Sequence, residues 1–219
     1  DTGLVRHEPH SNGQPRYWML DPIRRFALDR LVAGDVYEAT IVRFAKWCSA
    51  IARQAAAAFA GDGPGIWADV LAGEIDNFRS AIVLLTETGD RVAVLQLATE
   101  LSPLWSAMGH QREGLHLLQQ TIAQIDELEY PAEVMQARLV ASRLATMVDD
   151  FPLATELALR ARSSAERLHD QTAFADAETA LGNLARGTGD LDAAGAHYQT
   201  ALDRYRALDD RYNTGYILV

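Results

Sequence analysis

The chain has 219 residues but only one cysteine, one lysine and seven prolines, and each scarcity excludes something. Cys48 alone rules out an intrachain disulfide. Its place on an apolar helical stripe reads as a buried, unreactive thiol rather than a nucleophile. No apolar run approaches the ~20 residues needed to span a membrane. The beginning of the sequence has no signal-peptide pattern, so a reducing cytoplasm is the expected setting. Cations are also in short supply. The net charge is −10, against the basic patch that non-specific nucleic-acid binding needs, and no direct nucleic-acid contact is expected. A DNA-binding domain elsewhere in a larger protein stays open. The first residue is not Met, and Val219 falls within an apolar run, so a piece of a longer protein is expected.

Catalytic groupings are missing as well. Asp149-Asp150 falls in an interhelix turn, where acids cap the next helix. Glu74 and Asp76 belong to different faces of one helix. Asp209-Asp210 mark a helix end and linker. His110 and His116 do not share a face, and His169 and His197 each stand alone. His7 and His10 are three apart with no third ligand nearby, so no metal site is expected. The expectation is a non-enzymatic chain.

What is present is helical periodicity, in a composition 48 % hydrophobic and 23 % charged. Residues 1–20 are the exception. Gly3-Leu4-Val5 and Arg16 to Leu20 read as two strands of a hairpin around a polar loop from His7 to Pro15. Asp21-Pro22 then opens a helix, with Asp21 as N-cap and Pro22 in the first turn. Ile23, Phe26, Ala27, Leu28 and Leu31 form its apolar face, and Gly34 ends it. A long helix runs from Tyr37 to Phe59 and is broken at Gly61–Gly65. Another runs from Trp67 to Leu85. Helix pairs follow at 91–108 with 111–127, 132–148 with 151–168, and 172–188 with 191–208. Each pair is joined by a two-residue turn, and a further helix begins at Tyr212. Pro103, inside the first of these helices, should kink it or shift its start.

The pairs recur every 40 residues. Gly114, Ala154 and Ala194 share one position, and Ser102, Ser142 and Gly182 share another. Small residues at these positions let helices approach, and Leu181, Leu184, Tyr198 and Leu202 fill the remaining space. Leu181 to Leu202, with its Leu-Gly, Gly-Asp turn, Ala and aromatic at set offsets, resembles a tetratricopeptide repeat. The other two pairs are more degenerate. The expected fold is therefore all-α: a right-handed α-solenoid of antiparallel helix hairpins with a small N-terminal hairpin. Its expected divisions are 1–34, 35–90 and 91–219.

Three further motifs carry a more specific resemblance. Arg16 to Leu31, RYWMLDPIRRFALDRL, resembles the segment that closes the winged-helix subdomain of bacterial signal-transduction ATPases with numerous domains. Trp67 with Leu71–Ala81, LAGEIDNFRSA, and Leu104–Gly114, LWSAMGHQREG, are similar to two later motifs of the same LuxR/AfsR-like regulators. The resemblance implies the sensor region of an ATP-dependent transcriptional regulator, with a helix-turn-helix or a cyclase domain elsewhere. The sequence has no Gly-x-x-x-x-Gly-Lys-Ser/Thr phosphate loop, so ATP and Mg are expected only in a separate upstream module. No cofactor is expected on this chain.

In such arrays the first helices of successive pairs line a groove. The repeat frame places Gln96, Thr99, Pro103 and Ser106 there, then Gln136, Leu139 and Arg143, then Asp176, Thr179, Asn183 and Arg186. Arg143 and Arg186 are the sharpest candidates for contacting a protein or small-molecule effector; the alternative is that each pairs with a neighbouring acid. Asp76, Asn77 and Arg79 are candidates for a contact with the chain's own ATPase module, the alternative being a purely structural role. Two other readings of the whole remain open. One is self-assembly through the apolar end formed by Tyr212, Tyr216, Ile217 and Leu218. The other is an accessory domain beside a cyclase.

Overall fold

The structure is a computed structural model that describes residues 4–9, 15–60 and 67–218. The Gly61–Gly65 break and His10 lie outside the described residues. Contacts divide the chain into two units, Asp1–Ala93 and Val94–Val219. The fold is an all-α solenoid, as the periodicity requires, with one two-stranded ribbon among the described residues.

In the first unit, β1 (Arg6–Pro9) pairs antiparallel with β2 (Pro15–Trp18), Arg6 opposite Trp18 and His7 opposite Tyr17. The first strand therefore lies further along than expected. Leu4 and Val5 form a bend, and part of the supposed polar loop is strand. Cross-strand partners decide the register of so short a strand. The Arg6 guanidinium lies 5.3 Å from the centre of the Trp18 ring, and His7 meets Tyr17 edge-on at 6.1 Å.

Helix α1 (Asp21–Val32) follows with Pro22 in its first turn, but the N-cap is Leu20. Asp21 is already helical and accepts from Arg24 at 3.1 Å. The expected apolar face is present but not buried: α1 contains no buried residue, and Phe26 is 61 % exposed. Helices α2 (Tyr37–Ala60) and α3 (Trp67–Glu87) pack together. Ile41, Ala45, Cys48, Ala52 and Ala55 supply one side of this core, and Leu71, Phe78, Ala81 and Leu85 the other. Cys48 is fully buried, and loss of water together with the neighbouring Glu74 pushes its thiol up to about 12, which makes it a poor nucleophile.

The helix expected over 91–108 is two helices, α4 (Arg91–Glu100) and α5 (Ser102–Ala107), separated at Leu101. Pro103 has no N–H to offer the carbonyl of Thr99, so the ladder breaks where proline enters. Helix α6 (Gln111–Ile122) stops five residues before the expected 127. There Asp126 turns the chain by accepting from the Leu128 N–H at 2.8 Å. The remaining helices keep the expected order: α7 (Pro131–Met147), α8 (Phe151–Leu168), α9 (Gln171–Thr188), α10 (Leu191–Ala207) and α11 (Arg211–Leu218). Each packs on the next, and α7 also touches α9, so successive first helices lie side by side.

One turn design recurs at 20-residue spacing, half the expected period. Gly89, Gly109, Asp149, His169, Gly189 and Asp209 all have positive φ, between 54° and 86°. At all but Gly109, an aspartate follows. Asp90, Asp150, Asp170, Asp190 and Asp210 each accept the N–H three residues on, at 2.9–3.2 Å. Each also donates its own N–H to the carbonyl five residues back, at 2.9–3.2 Å. One helix is closed by a left-handed residue and the next is opened by the adjacent side chain.

Small residues then set how closely helices approach. Gly182 lies against the Tyr198 ring, where an added Cβ would come within 2.6 Å of a ring carbon. Gly114 lies against Trp105 in the same way, at 2.5 Å. Ser142, at the repeat position of Gly182, instead donates to the Ala154 carbonyl at 2.8 Å. Trp105 is fully buried and its indole N–H donates to the Ala98 carbonyl at 2.9 Å, so it cannot swing aside. Gly114→Ala is expected to lower stability by about 2 kcal/mol through overpacking, measured by urea unfolding. His169→Gly is expected to raise it by about 0.5–1 kcal/mol, because His169 is exposed and holds a left-handed backbone that glycine adopts without strain. A stabilised Gly114→Ala or a destabilised His169→Gly contradicts this packing.

Candidate functional site

Between α7 and α9 the side-by-side first helices leave a cavity of about 440 Å³. Gln136, Leu139 and Arg143 enter it from α7, and Asp176, Thr179 and Asn183 from α9. These six are groove positions of the repeat frame. Gln96 and Thr99 line a smaller cavity of about 290 Å³, which also includes Gln136. Ser106 and Pro103 line neither, and the Ser106 carbonyl instead accepts from Gln111 at 3.1 Å. Arg186 is exposed, outside both cavities. Neither Arg143 nor Arg186 forms an ion pair among the described residues, so the expected alternative of a neighbouring acid is not met for either.

The sequence frame omits the residues that close the cavity. Tyr205 comes from α10, a second helix, and Tyr212, Asn213 and Tyr216 come from α11. Tyr205 is 2 % exposed and donates its hydroxyl to Asp176 Oδ1 at 2.6 Å, with the Thr179 hydroxyl 3.4 Å away. Burial pushes the Asp176 carboxyl up, against the Tyr205 hydrogen bond and the field of Arg143, which pull it down. Burial and then Asp176 push the Tyr205 phenol up as well. Asn183 is oriented by Tyr198, whose hydroxyl donates to its Oδ1 at 2.8 Å. Arg143 makes one long contact, to Ser102 Oγ at 3.4 Å.

Two charge clusters stand apart from the cavity. Glu127 receives Arg138 through both its oxygens, at 2.8 and 2.6 Å, and also Arg167 at 3.0 Å. Hydrogen bonding from Arg138 holds its carboxyl down at about 2. Glu178 is 4 % exposed and receives Arg162 at 3.2 Å and His197 at 2.6 Å, so His197 does not stand alone as the sequence suggested. In the first unit Asp76 is exposed, with Arg79 3.9 Å away. Asn77 turns inward, its amide donating to Glu74 and its carbonyl accepting from the Cys48 thiol. Asp76 and Asn77 line an open cleft with Trp18, Phe44 and Trp47. No group of three His, Cys, Asp or Glu placed to hold a metal occurs among the described residues. No described helix is long and apolar enough to cross a membrane.

The raised carboxyl of Asp176 has a definite sign. The folded state binds its proton more tightly than the unfolded state, so this residue adds stability at low pH and loses it as pH rises through its folded value. Asp176→Asn keeps an acceptor for Tyr205 without a buried charge. It is therefore expected to be as stable as the parent or more stable at pH 7, with the advantage fading as pH falls towards 4. Thermal melts of both chains across that range check this. A variant clearly less stable at pH 7 contradicts it.

No protein-family model matches the chain. It is 32 % identical over 216 residues to proteins of Mycobacterium bovis and of two Mycobacterium tuberculosis strains that carry the provisional name HTH-type transcriptional regulator. The match covers 94 % of this chain but 24 % of theirs, so the chain spans about a quarter of their length. Among solved structures it is similar to BtubC (BKLC) of P. vanneervenii, with a TM-score of 0.56 and 17 % identity over 83 % of this chain and 74 % of that one. That likeness concerns the fold alone.

Proposed function

We propose that this chain is the non-enzymatic sensor module of a transcriptional regulator. It binds an effector in the α7–α9 cavity and relays occupancy to an ATPase switch outside this segment. The single observation that carries the reading is the cavity itself. Arg143 and Asp176 project charge into a space lined by tyrosines from later helices, whereas the buried Arg138 and Glu178 of the same unit are ion-paired. Similarity along nearly the whole chain to proteins named as transcriptional regulators supports the regulatory context. The three motifs of residues 16–114 support the ATPase partner, with ATP and Mg held by that partner. In this reading Asp76 and Arg79, on the outer side of α3, face the ATPase module, while Asn77 fastens α3 to α2.

Introduced into the native gene, Arg143→Ala and Asp176→Asn are expected to change transcripts of the regulated genes by about fivefold or more, the lower end of ordinary allosteric coupling. Arg160→Ala removes an exposed ion pair with Glu156 on α8 and is expected to change nothing. Transcript sequencing across growth conditions reads the outcome. Parental profiles from both cavity variants contradict the proposal.

A further inference from the structure

Resting on that reading of the cavity, we infer that its ligand is a small zwitterion of the α-amino-acid or dipeptide class, with its ammonium on Asp176 and its carboxylate on Arg143. Both residues line one cavity, yet no ion pair within 4 Å joins them. They do sense each other, since the Arg143 charge favours the ionised form of Asp176. Oxygen Oδ1 of Asp176 is held by the Tyr205 hydroxyl, which fixes the carboxylate and leaves its second oxygen for a donor. Among the described residues the Arg143 side chain makes one hydrogen bond, the long contact to Ser102, so its guanidinium keeps donors for a carboxylate. Tyr198 occupies Asn183 Oδ1, which leaves the Asn183 N–H groups as a second donor to the same anion.

The charges select the class. A simple anion meets Asp176, and a simple cation meets Arg143, so each is penalised by half of the site. A ligand carrying both charges satisfies both and remains neutral overall, which suits a chain of net charge −10. Tyr212 and Tyr216 supply an aromatic wall for its side chain. A cavity of about 440 Å³ has room for a large amino acid or a dipeptide.

The test is calorimetric titration of the chain with the free L-amino acids and a dipeptide panel, and with the N-acetyl and C-amide forms of any that bind. At least one zwitterion should bind, and either blocking group should weaken it about tenfold or more, as expected for loss of a charge-assisted hydrogen bond. Asp176→Asn should abolish the discrimination against N-acetylation, and Arg143→Gln the discrimination against amidation. Equal binding of free and blocked forms overturns the inference, as does failure of every zwitterion to bind. If none binds while the cavity variants still alter transcription, the ligand class is wrong and the sensor reading stands. If the expected signature appears while transcription is unaffected, the binding site stands and the sensor reading falls.

Discussion

The spacing of a single backbone event governs the second unit: a residue forced into the left-handed region, followed by an aspartate that opens the next helix. Repeated every 20 residues from Asp149 to Asp210, it fixes the lengths of α8, α9 and α10 to within one residue of each other. Helices of equal length can stack in register, and stacking brings first helices side by side. The cavity between α7 and α9 is a product of that register. Where the device lapses, after Ile122, the chain needs an irregular segment to reach α7, and Glu127 in that segment becomes a tether through Arg138 and Arg167.

Polar groups in this unit fall into two energetic kinds. Half-buried Glu127 and buried Glu178 are each met by two basic side chains, so neither carboxylate lacks a partner. Asp176 is different: one hydroxyl and the field of Arg143, which makes no ion pair with it, do not offset its loss of water. A fold able to pair two other carboxylates so thoroughly could have paired this one. In the proposed reading, that incomplete compensation beside the cavity leaves the Asp176 carboxylate open to a donor on the ligand.

Much of this was legible from residues alone. Gly189-Asp190 and Asp149-Asp150 announce turns because their backbone chemistry is local. Gln136, Arg143, Asp176 and Asn183 follow from the rule that first helices line the groove. Tyr205 does not, because its meeting with Asp176 joins residues 29 apart on different helices and depends on how α10 is rotated. The pairing of His197 with Glu178 was hidden for the same reason. Leu4 and Val5 looked like strand from composition, but the Arg6–Trp18 and His7–Tyr17 pairs decide a ribbon of four residues per strand. The apolar residues of α1 have the periodicity of a buried face, yet none is buried and Phe26, Ala27 and Leu28 are exposed, since periodicity identifies a face and not what covers it. Pro103 shifts the helix start to Ser102 and separates α5 from α4 at Leu101, one of the two effects expected of it.

Arg138 and Glu178 occupy the same position one 40-residue repeat apart, both buried, with opposite charge. Each is met by its own complement, Glu127 in one case and Arg162 with His197 in the other. A glutamate at 138 would meet Glu127 and an arginine at 178 would meet Arg162, like charge against like. The two positions are thus not interchangeable, although the backbone repeat makes them equivalent. The first cluster ties the segment before α7 to α7 and α8, and the second ties α9 to α8 and α10, so α7 and α9, which line the cavity, are each held to their neighbours by their own charge set.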